Sequence, residues 1–302
     1  SLSADEQEMR VIVLLLLFHA AAAMILRGKI VRRSSAPRWM VSYHTDSQHQ
    51  FNCGGTLISP RIIHTAGHCL KKATNDNHFV VTLNNYLADT PEKSDIKRTG
   101  SDWYLRTRKH DLEEKKDDYG LIFLDEPVDV CEDMDSLLVP IIIDSSIFPN
   151  ETAVLEPAAE SCVITGWGMN EKGRYDPPLR EARLQKWYTA RGMIVAVKYD
   201  NDARACNGDS GSPLVCNVNN IPVLIGNVAG GIAINEKAVA DAEEDWQKCD
   251  LRRDVYAYIN RQMPVLEKQI RKRGMWNEFV ATQKRCVDYY MSKNGGQWIH
   301  EY

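Results

Sequence analysis

The amino-acid sequence lacks the features that mark several classes of protein. It contains no internal repeat and no low-complexity tract, so a repeat architecture is not indicated. Its formal net charge is only −4, which gives no reason to expect a nucleic-acid partner. A His-Glu-x-x-His zinc motif is also missing, and no metal or organic cofactor is implied. With 302 residues, 44% of them apolar, the composition is ordinary for one large or two small globular domains.

A long apolar run lies near the N-terminus and ends at Leu26. Met9-Arg10 supplies a positive start before it, and Ala20–Ala23 supply the small residues that signal peptidase requires. We therefore expect a signal peptide over residues 9–23 and a secreted, extracellular protein, with residues 1–8 as upstream sequence of unassigned role. The run is shorter than the roughly 20 residues of a bilayer span, so no stable membrane span is expected. An uncleaved membrane anchor is the alternative.

One serine, Ser210, lies in a glycine-flanked turn within the run Cys206-Asn-Gly-Asp-Ser-Gly-Ser-Pro-Leu-Val-Cys216. Gly208 and Gly211 have no Cβ, so the backbone here can take a positive φ and a substrate can approach closely. Such a turn directs the Ser210 hydroxyl outward, while the N–H groups of Gly208 and Ser210 converge on one point. Acyl transfer requires a nucleophile beside two such donors, because negative charge develops on the attacked carbonyl oxygen.

Three further motifs accompany the serine run. They are Thr65-Ala-Gly-His68-Cys69, Asp118-Tyr-Gly-Leu-Ile-Phe-Leu-Asp-Glu-Pro127-Val128 and Cys162-Val-Ile-Thr-Gly-Trp-Gly168. Together the four motifs resemble the active-site signatures of the chymotrypsin/trypsin-like serine endopeptidases, and the resemblance extends over residues 30 to 272. The chain order His68, Asp118, Ser210 matches this family and differs from that of the subtilisin-like and α/β-hydrolase enzymes.

The resemblance implies an activity and the residues that perform it. His68 acts as general base toward Ser210 and then as acid toward the leaving amine, while Asp118 orients the imidazole. The N–H groups of Gly208 and Ser210 bind the oxyanion. The implied reaction is hydrolysis of peptide bonds through an acyl-enzyme by a monomeric enzyme. Its expected partners are protein or peptide substrates and protein protease inhibitors. The alternative is a secreted, non-catalytic homologue that binds partners or regulates a cascade.

Short apolar runs separated by turn signals recur along the chain and favour an all-β, antiparallel fold. The resemblance implies two six-stranded β-barrels of the chymotrypsin type, with the active site in the cleft between them. One long helix is predicted, capped by Asn260 and ending at Gly274. The protease-like domain is expected over residues 30–273. The extension that follows, residues 274–302, either packs on the body or forms a partner surface.

Eight cysteines behind a signal peptide indicate disulfides, although many pairings are possible in principle. The family resemblance implies three of them, Cys53–Cys69, Cys162–Cys216 and Cys206–Cys249. Cys131 and Cys286 are left over, and parity predicts that they pair. That fourth bridge would fasten the C-terminal extension to the body.

The resemblance also implies proteolytic activation of a zymogen. Lys29-Ile30-Val31 resembles the family's activation junction, so residues 24–29 are expected to be an activation peptide that a cut after Lys29 removes. The freed Ile30 ammonium would then be buried against Asp209, which stands where the family places the partner carboxylate. Two arginines, Arg32 and Arg33, follow in place of the family's usual pair of glycines.

The implied specificity is not that of an ordinary trypsin. Arg204 stands where trypsin-like members place the aspartate that binds a Lys or Arg side chain of the substrate, so a basic side chain would be repelled. Asp254 aligns with the wall of the same pocket, and Ala229-Gly230-Gly231 replaces a bulkier segment at its entrance. Small or apolar side chains are expected if Arg204 pairs with Asp254, and acidic ones if Arg204 is free. The alternative is that Arg204 turns to solvent and sets no preference.

The pattern Asn150-Glu-Thr152 predicts an N-glycan on Asn150 in a secreted chain. It follows Pro149 in what the local composition indicates to be a surface connection. An unused acceptor is the alternative.

Overall fold

The computed structural model describes residues 25–45, 53–71, 78–87, 92–106, 115–133, 135–148, 161–175 and 178–293. Within these ranges the chain forms fourteen strands and five α-helices. The strands are β1 (Lys29–Ile30), β2 (Met40–Thr45), β3 (Cys53–Ser59), β4 (Ile62–Thr65), β5 (Phe79–Leu83), β6 (Ile96–Gly100), β7 (Asp102–Arg106), β8 (Tyr119–Phe123), β9 (Cys162–Gly166), β10 (Arg180–Ala190), β11 (Met193–Tyr199), β12 (Pro213–Val218), β13 (Ile221–Ala233) and β14 (Arg252–Tyr258). The helices are α1 (Gly67–Leu70), α2 (Glu236–Asp241), α3 (Asp245–Asp250), α4 (Ile259–Lys272) and α5 (Trp276–Lys293).

The strands form two antiparallel sheets. In the second half of the chain, β9, β10, β11, β14, β13 and β12 close into a six-stranded barrel because β9 pairs with both β10 and β12, and β1 adds to β10. The first half forms a curled sheet in the order β6-β5-β2-β3-β4-β8-β7, which does not close within the described residues. The predicted two-barrel fold of the chymotrypsin type is therefore confirmed. The first unit differs from the prediction in being an open, seven-stranded sheet.

The burial of its strands shows which faces of the first sheet lie against the core. In β5, Phe79, Val81 and Leu83 are fully buried and alternate with half-buried residues, as expected of a strand with one face on the core. By contrast, β3 is buried along its whole length. The serine run contacts β3 at Gly54, and helix α5 contacts it at Ile58.

The two sheets approach each other where two glycines permit it. A Cβ on Gly54 would overlap Ser212 Oγ, and a Cβ on Gly211 would overlap the carbonyl oxygen of Gly54. Gly211 also has a φ of +80°, which favours glycine. The Gly54 N–H donates to the Ser210 carbonyl oxygen at 2.9 Å, so β3 of the first sheet holds the serine turn directly.

Two helices follow the last strand, where the sequence predicted one. The predicted helix is α4, which starts at Ile259 after Tyr258 rather than after the expected cap Asn260. It ends before Gly274, which has a φ of +71°. The second helix, α5, was missed.

Helix α5 packs on the body of the protein. Its buried face includes Phe279 and Cys286, and the Gln283 side chain donates to the carbonyl oxygen of Ile58 at 3.0 Å. The Tyr290 hydroxyl donates to the carbonyl oxygen of Val139 at 2.8 Å. Of the two uses left open for the extension, packing is therefore the one that the structure shows for this helix.

The structure contains the four disulfides that the resemblance and parity predicted. They are Cys53–Cys69, Cys162–Cys216, Cys206–Cys249 and Cys131–Cys286. The first lies beside His68 and the third beside the serine turn, so both brace segments of the candidate site. The fourth ties α5 to the segment after β8.

None of the helices in the described ranges is both long enough and apolar enough to cross a bilayer. The predicted signal peptide, residues 9–23, lies outside those ranges, as do residues 1–8, residue 24 of the expected activation peptide and the expected glycosylation site Asn150.

Candidate active site

His68 and Asp118 meet at one end of the first sheet. His68 lies in the single turn α1 that follows β4, and Asp118 directly precedes β8, the strand that pairs with β4. His68 Nδ1 is 2.5 Å from Asp118 Oδ2, and the His68 backbone N–H donates to Asp118 Oδ1 at 2.7 Å. The Asp118 side chain is buried, whereas the imidazole is 34% exposed. Both oxygens of the Asp118 carboxylate thus bind His68, and the Nε2 atom of His68 is left to exchange a proton.

Ser210 lies in the turn that precedes β12, and this turn is anchored to β13. The Gly211 N–H donates to the Val228 carbonyl oxygen at 2.9 Å, and the Val228 N–H donates to the Ser212 carbonyl oxygen at 2.9 Å. Together with the contact from Gly54, these bonds fix the turn between the two sheets. The Ser210 residue itself remains partly exposed.

Two backbone N–H groups of the turn find no acceptor in the part of the chain that the structure describes. The N–H groups of Asp209, Gly211 and Ser212 all donate to carbonyl oxygens. Those of Gly208 and Ser210 have no acceptor among the residues that the structure describes. Gly208 has a φ of +93°, a conformation that favours glycine. The unused pair is the one that the sequence analysis assigned to an oxyanion.

The expected hydrogen bond between His68 Nε2 and Ser210 Oγ is not formed in the described part of the chain. His68 Nε2 lies instead 3.7 Å from Cys69 Sγ. Contacts between a nucleophile and its base are often long in the free enzyme and tighten only when substrate is bound. His68 and Ser210 are nevertheless held on one framework, because Gly54, which bonds Ser210, adjoins the Cys53–Cys69 disulfide.

The same disulfide decides against a metal at this position. Donor atoms of Cys53, His68 and Cys69 lie within 4.8 Å of one another, as they would in a metal site. The two sulfurs are joined to each other, however, and the thiolate is the form of cysteine that binds a metal. In this cluster the disulfide therefore stabilises the loop that carries His68, and its sulfurs are not metal ligands.

The Asp209 carboxylate is fully buried beside the serine turn. Its Oδ1 accepts a hydrogen bond from the Gly168 N–H at 2.8 Å, and its Oδ2 accepts one from the Cys206 N–H at 3.0 Å. Burial raises the pKa of Asp209 to about 7, although these two hydrogen bonds lower it. No cationic side chain in the described ranges forms an ion pair with it. The hydrogen-bond donors to this carboxylate in the described ranges are therefore backbone N–H groups.

The structure does not bring Ile30 to Asp209. The Ile30 side chain is 43% exposed, and its backbone pairs with Arg180 of β10, while Lys29 pairs with Glu181. Both residues lie in an outer strand, so the uncut junction sits on the surface and not beside the buried carboxylate.

A different segment is buried beside the serine turn. Ile25 and Leu26 are fully buried, and Leu26 packs with Cys206, whose N–H holds Asp209. The Arg204 N–H donates to the Leu26 carbonyl oxygen at 3.1 Å. Ile25 was not predicted, although the run Ile25-Leu26-Arg27-Gly28, an Ile followed by an aliphatic residue and then by a glycine two positions after that residue, was a usable signal.

Arg27 fastens this segment. Its guanidinium forms an ion pair with Asp250 of α3 and donates through Nε to the Asp202 carbonyl oxygen at 3.0 Å. The Asp250 hydrogen bond is the largest cause of a raised pKa at Arg27, which therefore stays cationic. One carbonyl further along, Gly28 accepts a hydrogen bond from Arg180 Nη1 at 2.9 Å.

Arg204 and Asp254 do not form the ion pair that the sequence left open. Asp254 Oδ2 accepts a hydrogen bond from the Ala205 N–H at 2.8 Å, and Tyr199 bonds the same carboxyl group. Burial raises the pKa of Asp254 to about 6, and the charge of Arg204 offsets only part of this rise. Arg204 Nη1 donates to its neighbour's carbonyl oxygen, and Nε has no partner in the described ranges. Arg204 therefore has no ion pair with Asp254 in the described ranges, and the side-chain preference of the pocket stays a prediction.

Ala229, Gly230 and Gly231 form an open strand edge beside the serine turn. On one side Gly230 and Gly231 pair with β14, whereas the pairing of β12 on the other side ends at Asn227 within the described residues. An open edge of this kind can accept an extended peptide as a further strand.

Lys115 lies over this edge. It belongs to a single 3-10 turn, Lys115–Asp117, and its Nζ donates to the Gly231 carbonyl oxygen. The same Nζ is 3.4 Å from where a Cβ on Gly230 would stand. Burial and the nearby charge of Arg252 lower the pKa of Lys115. Lys115 could not be predicted from the sequence because it lies in a charged segment without any motif.

Comparison with known families agrees with this geometry. The family model described as Trypsin matches residues 25–242, more than half of the chain. The match starts at Ile25 and spans His68, Asp118 and Ser210. The chain therefore belongs to the Trypsin family of serine proteases.

Proposed function

We propose that the protein is a secreted serine endopeptidase that hydrolyses peptide bonds through an acyl-enzyme at Ser210. One observation carries the proposal. A buried carboxylate, Asp118, holds His68 at 2.5 Å on one sheet, and the serine turn bonded to that sheet has two N–H groups without an acceptor among the described residues. A base, a nucleophile and two free donors are the parts that acyl transfer needs.

Each group then has one role in the reaction. Ser210 Oγ attacks the substrate carbonyl carbon while its proton moves to His68 Nε2, and the new oxyanion is stabilised by the N–H groups of Gly208 and Ser210. His68 gives the proton to the leaving amine, the C–N bond breaks and an ester remains on Ser210. A water molecule, activated by His68, then attacks this ester in the same way and releases the carboxylic acid product from Ser210. Asp118 keeps Nδ1–H directed toward itself and stabilises the imidazolium.

A non-catalytic homologue is the second candidate, favoured because no hydrogen bond joins His68 to Ser210 among the described residues. Turnover of a peptide library by the processed protein separates the two functions. Ser210→Ala and His68→Ala should abolish turnover while circular dichroism and secretion are retained. Ser212→Ala is the matched control, because this buried hydroxyl in the same turn has no partner in the described ranges and should be dispensable. Equal turnover by wild type and Ser210→Ala would rule out the proposed mechanism.

We further propose that processing frees Ile25 instead of Ile30. Asp209 is buried without a cationic partner in the described ranges, and Leu26, the neighbour of Ile25, packs with Cys206, whose N–H donates to Asp209. A new ammonium at Ile25 would supply the missing charge, and Arg27 would hold the segment in place through Asp250. Ile30, by contrast, is exposed in an outer strand.

N-terminal sequencing of the secreted, active protein tests this assignment, and it should return Ile25. Two engineered starts make the test sharper. A chain that begins at Ile25 should be active, and one that begins at Ile30 should be inactive because it lacks the buried segment. Full activity of the chain that begins at Ile30 would contradict this proposal and support cleavage after Lys29, as the sequence predicted.

We propose that the enzyme prefers acidic side chains near the scissile bond. Arg204 has no acidic partner within ion-pair distance in the described ranges, and Lys115 lies over the open edge at Gly230 and Gly231. Both charges would repel Lys or Arg of a substrate and attract Asp or Glu.

A peptide library with Asp, Glu, Lys, Arg, Ala and Leu varied around the cut measures this preference. Lys115→Ala should weaken the selection for acidic residues, and Arg204→Ala should do so at the residue before the cut. Lys116→Ala is the matched control, because Lys116 lies in the same turn and forms no hydrogen bond to the Gly230–Gly231 edge within the described residues. Strong cleavage after Lys or Arg by wild type would contradict the proposal.

A further inference from the structure

Strand β13 contacts both halves of the candidate site through two consecutive residues. Val228 bonds the serine turn with both its N–H and its carbonyl oxygen. Asn227, the preceding residue, is fully buried, and its Nδ2 donates to the Asp118 carbonyl oxygen at 3.1 Å. One strand of the second barrel therefore reaches the nucleophile with one residue and the first-sheet carboxylate with the next.

The Asp118 carbonyl oxygen needs this contact. Asp118 directly precedes β8, and the pairing of β8 with β7 starts only at Tyr119. No strand of the first sheet therefore pairs with Asp118 within the described residues. A buried carbonyl without a donor is costly, and the Asn227 amide supplies that donor from the opposite sheet.

The orientation of the Asn227 amide is fixed by a second buried amide. Gln262 of α4 donates through Nε2 to the Ala257 carbonyl oxygen at 3.0 Å and to Asn227 Oδ1 at 3.4 Å. With its Oδ1 occupied in this way, Asn227 must present Nδ2 to Asp118. Gln262 is itself fully buried, so water does not compete for these contacts.

His64 completes the chain of contacts. Gln262 Oε1 lies 2.7 Å from His64 Nε2, and because the amide oxygen accepts, the imidazole must carry its proton on Nε2. Burial lowers the pKa of His64 to about 4, so the ring is neutral at neutral pH. A neutral donor on β4 thus orients Gln262, which orients Asn227.

We propose that Asn227 is a positioning residue that fixes Asp118 from the second barrel, with Gln262 and His64 holding Asn227 in its working orientation. The inference rests on the proposed function of the site. Through Val228 and Asn227, β13 sets the separation between the serine turn and the carboxylate that holds His68. The two sheets then cannot shift against each other without disturbing both contacts.

Steady-state kinetics of the processed enzyme tests the proposal. Asn227→Leu keeps the size of the side chain and removes its donor, and should lower kcat by about 10- to 100-fold with KM changed less than about two-fold. Asn227→Asp should lose at least as much, because a carboxylate would repel the Asp118 carbonyl oxygen. Gln262→Leu should lower kcat in the same direction by releasing Asn227, and it covers the case in which Asn227→Leu fails to fold.

Gln283→Leu is the matched control. Gln283 is also fully buried and also bonds two backbone groups, the Ile142 N–H and the Ile58 carbonyl oxygen, but it lies in α5 away from the site. It should lower the melting temperature and leave kcat unchanged. If Gln262→Leu matches Gln283→Leu in both measurements, the role of Gln262 and Asn227 is structural only and the proposal is overturned.

A readout independent of turnover separates this proposal from the proposed function. The proton between His68 Nδ1 and Asp118 should give a far-downfield ¹H NMR signal, since the two atoms are only 2.5 Å apart. Asn227→Leu should shift or broaden that signal, whereas Gln283→Leu should not. A signal that stays unmoved in a folded Asn227→Leu variant would overturn the proposal even if wild type proved inactive.

Discussion

Asp209→Asn should change how the stability of the uncut chain depends on pH. In the chain that still carries residues before Ile25, burial raises the pKa of Asp209 to about 7. In the unfolded chain an aspartate titrates near ~3.9. As pH rises from about 4 to about 7, the unfolded state therefore releases a proton that the folded state keeps, and stability falls.

The magnitude follows from the shift. A difference of about three pKa units corresponds to about 4 kcal/mol of lost stability above pH ~7. Because part of that loss has already occurred at pH 5, about 3 kcal/mol should disappear between pH 5 and pH 8. Asparagine does not ionise, so Asp209→Asn should lack this component. The buried Asp254 shifts in the same direction but is present in both proteins, so comparing the two removes most of its contribution.

Urea unfolding at pH 5 and pH 8 measures the effect. A Ser210→Ala background prevents self-cleavage in both proteins. Wild type should lose about 3 kcal/mol more than Asp209→Asn between the two pH values. In the form that begins at Ile25, the new ammonium should keep Asp209 ionised, and this difference should vanish.

Two results would refute the reasoning. An uncut wild type with the same pH dependence as Asp209→Asn would mean that the Asp209 carboxylate is not isolated from cations. A difference that persists unchanged after processing would mean that the new N-terminus does not reach Asp209.

Four further outcomes are expected. Gly211→Ala should destabilise the fold by at least about 2 kcal/mol and abolish turnover, since a Cβ there overlaps Gly54 and φ is +80°; urea unfolding measures the loss. Replacing both Cys131 and Cys286 by alanine should cost about 2–5 kcal/mol, because the bridge closes a loop of 155 residues; a melting temperature equal to wild type would contradict this. Arg204→Asp should raise cleavage after Lys or Arg, and no gain in a peptide library would remove Arg204 from the pocket. Glycosidase treatment should lower the mass of the secreted protein, and Asn150→Gln should remove that shift.

The parts of the site that carry a motif could be predicted from the sequence. Ser210 lies between glycines, which indicate a turn. Cys69 adjoins His68 and is bridged to Cys53, so the cysteines indicate the loop that carries His68. The all-β class followed from short apolar runs with turn signals between them. The four disulfides followed once the family resemblance and parity were combined.

The remaining parts depend on contacts between segments far apart in the chain. Asn227 and Gln262 look like ordinary polar residues in the sequence, and only the meeting of β13, α4 and Asp118 gives them a role. Lys115 reaches Gly231, a residue more than a hundred positions away. Ile30 was predicted because Lys29-Ile30-Val31 resembles the family's activation junction, whereas the burial of Ile25, on which our proposal for that residue rests, is visible only in the structure.

Helix α5 was missed for a related reason. Its residues Trp276–Lys293 mix aromatic, charged and small side chains, so the apolar stripe is weak in the sequence. Tertiary contacts supply the stability, through Phe279, Gln283 and the bridge at Cys286.

Fluorophosphonate labelling of the processed protein tests the central claim most directly, because the reagent reacts only with a serine that a working base activates. Intact-mass analysis and peptide mapping should find one adduct, on Ser210, and none in His68→Ala. The uncut chain should label more slowly than the form that begins at Ile25. A processed, folded wild-type protein that acquires no label would contradict the account and identify the chain as a non-catalytic member of its family.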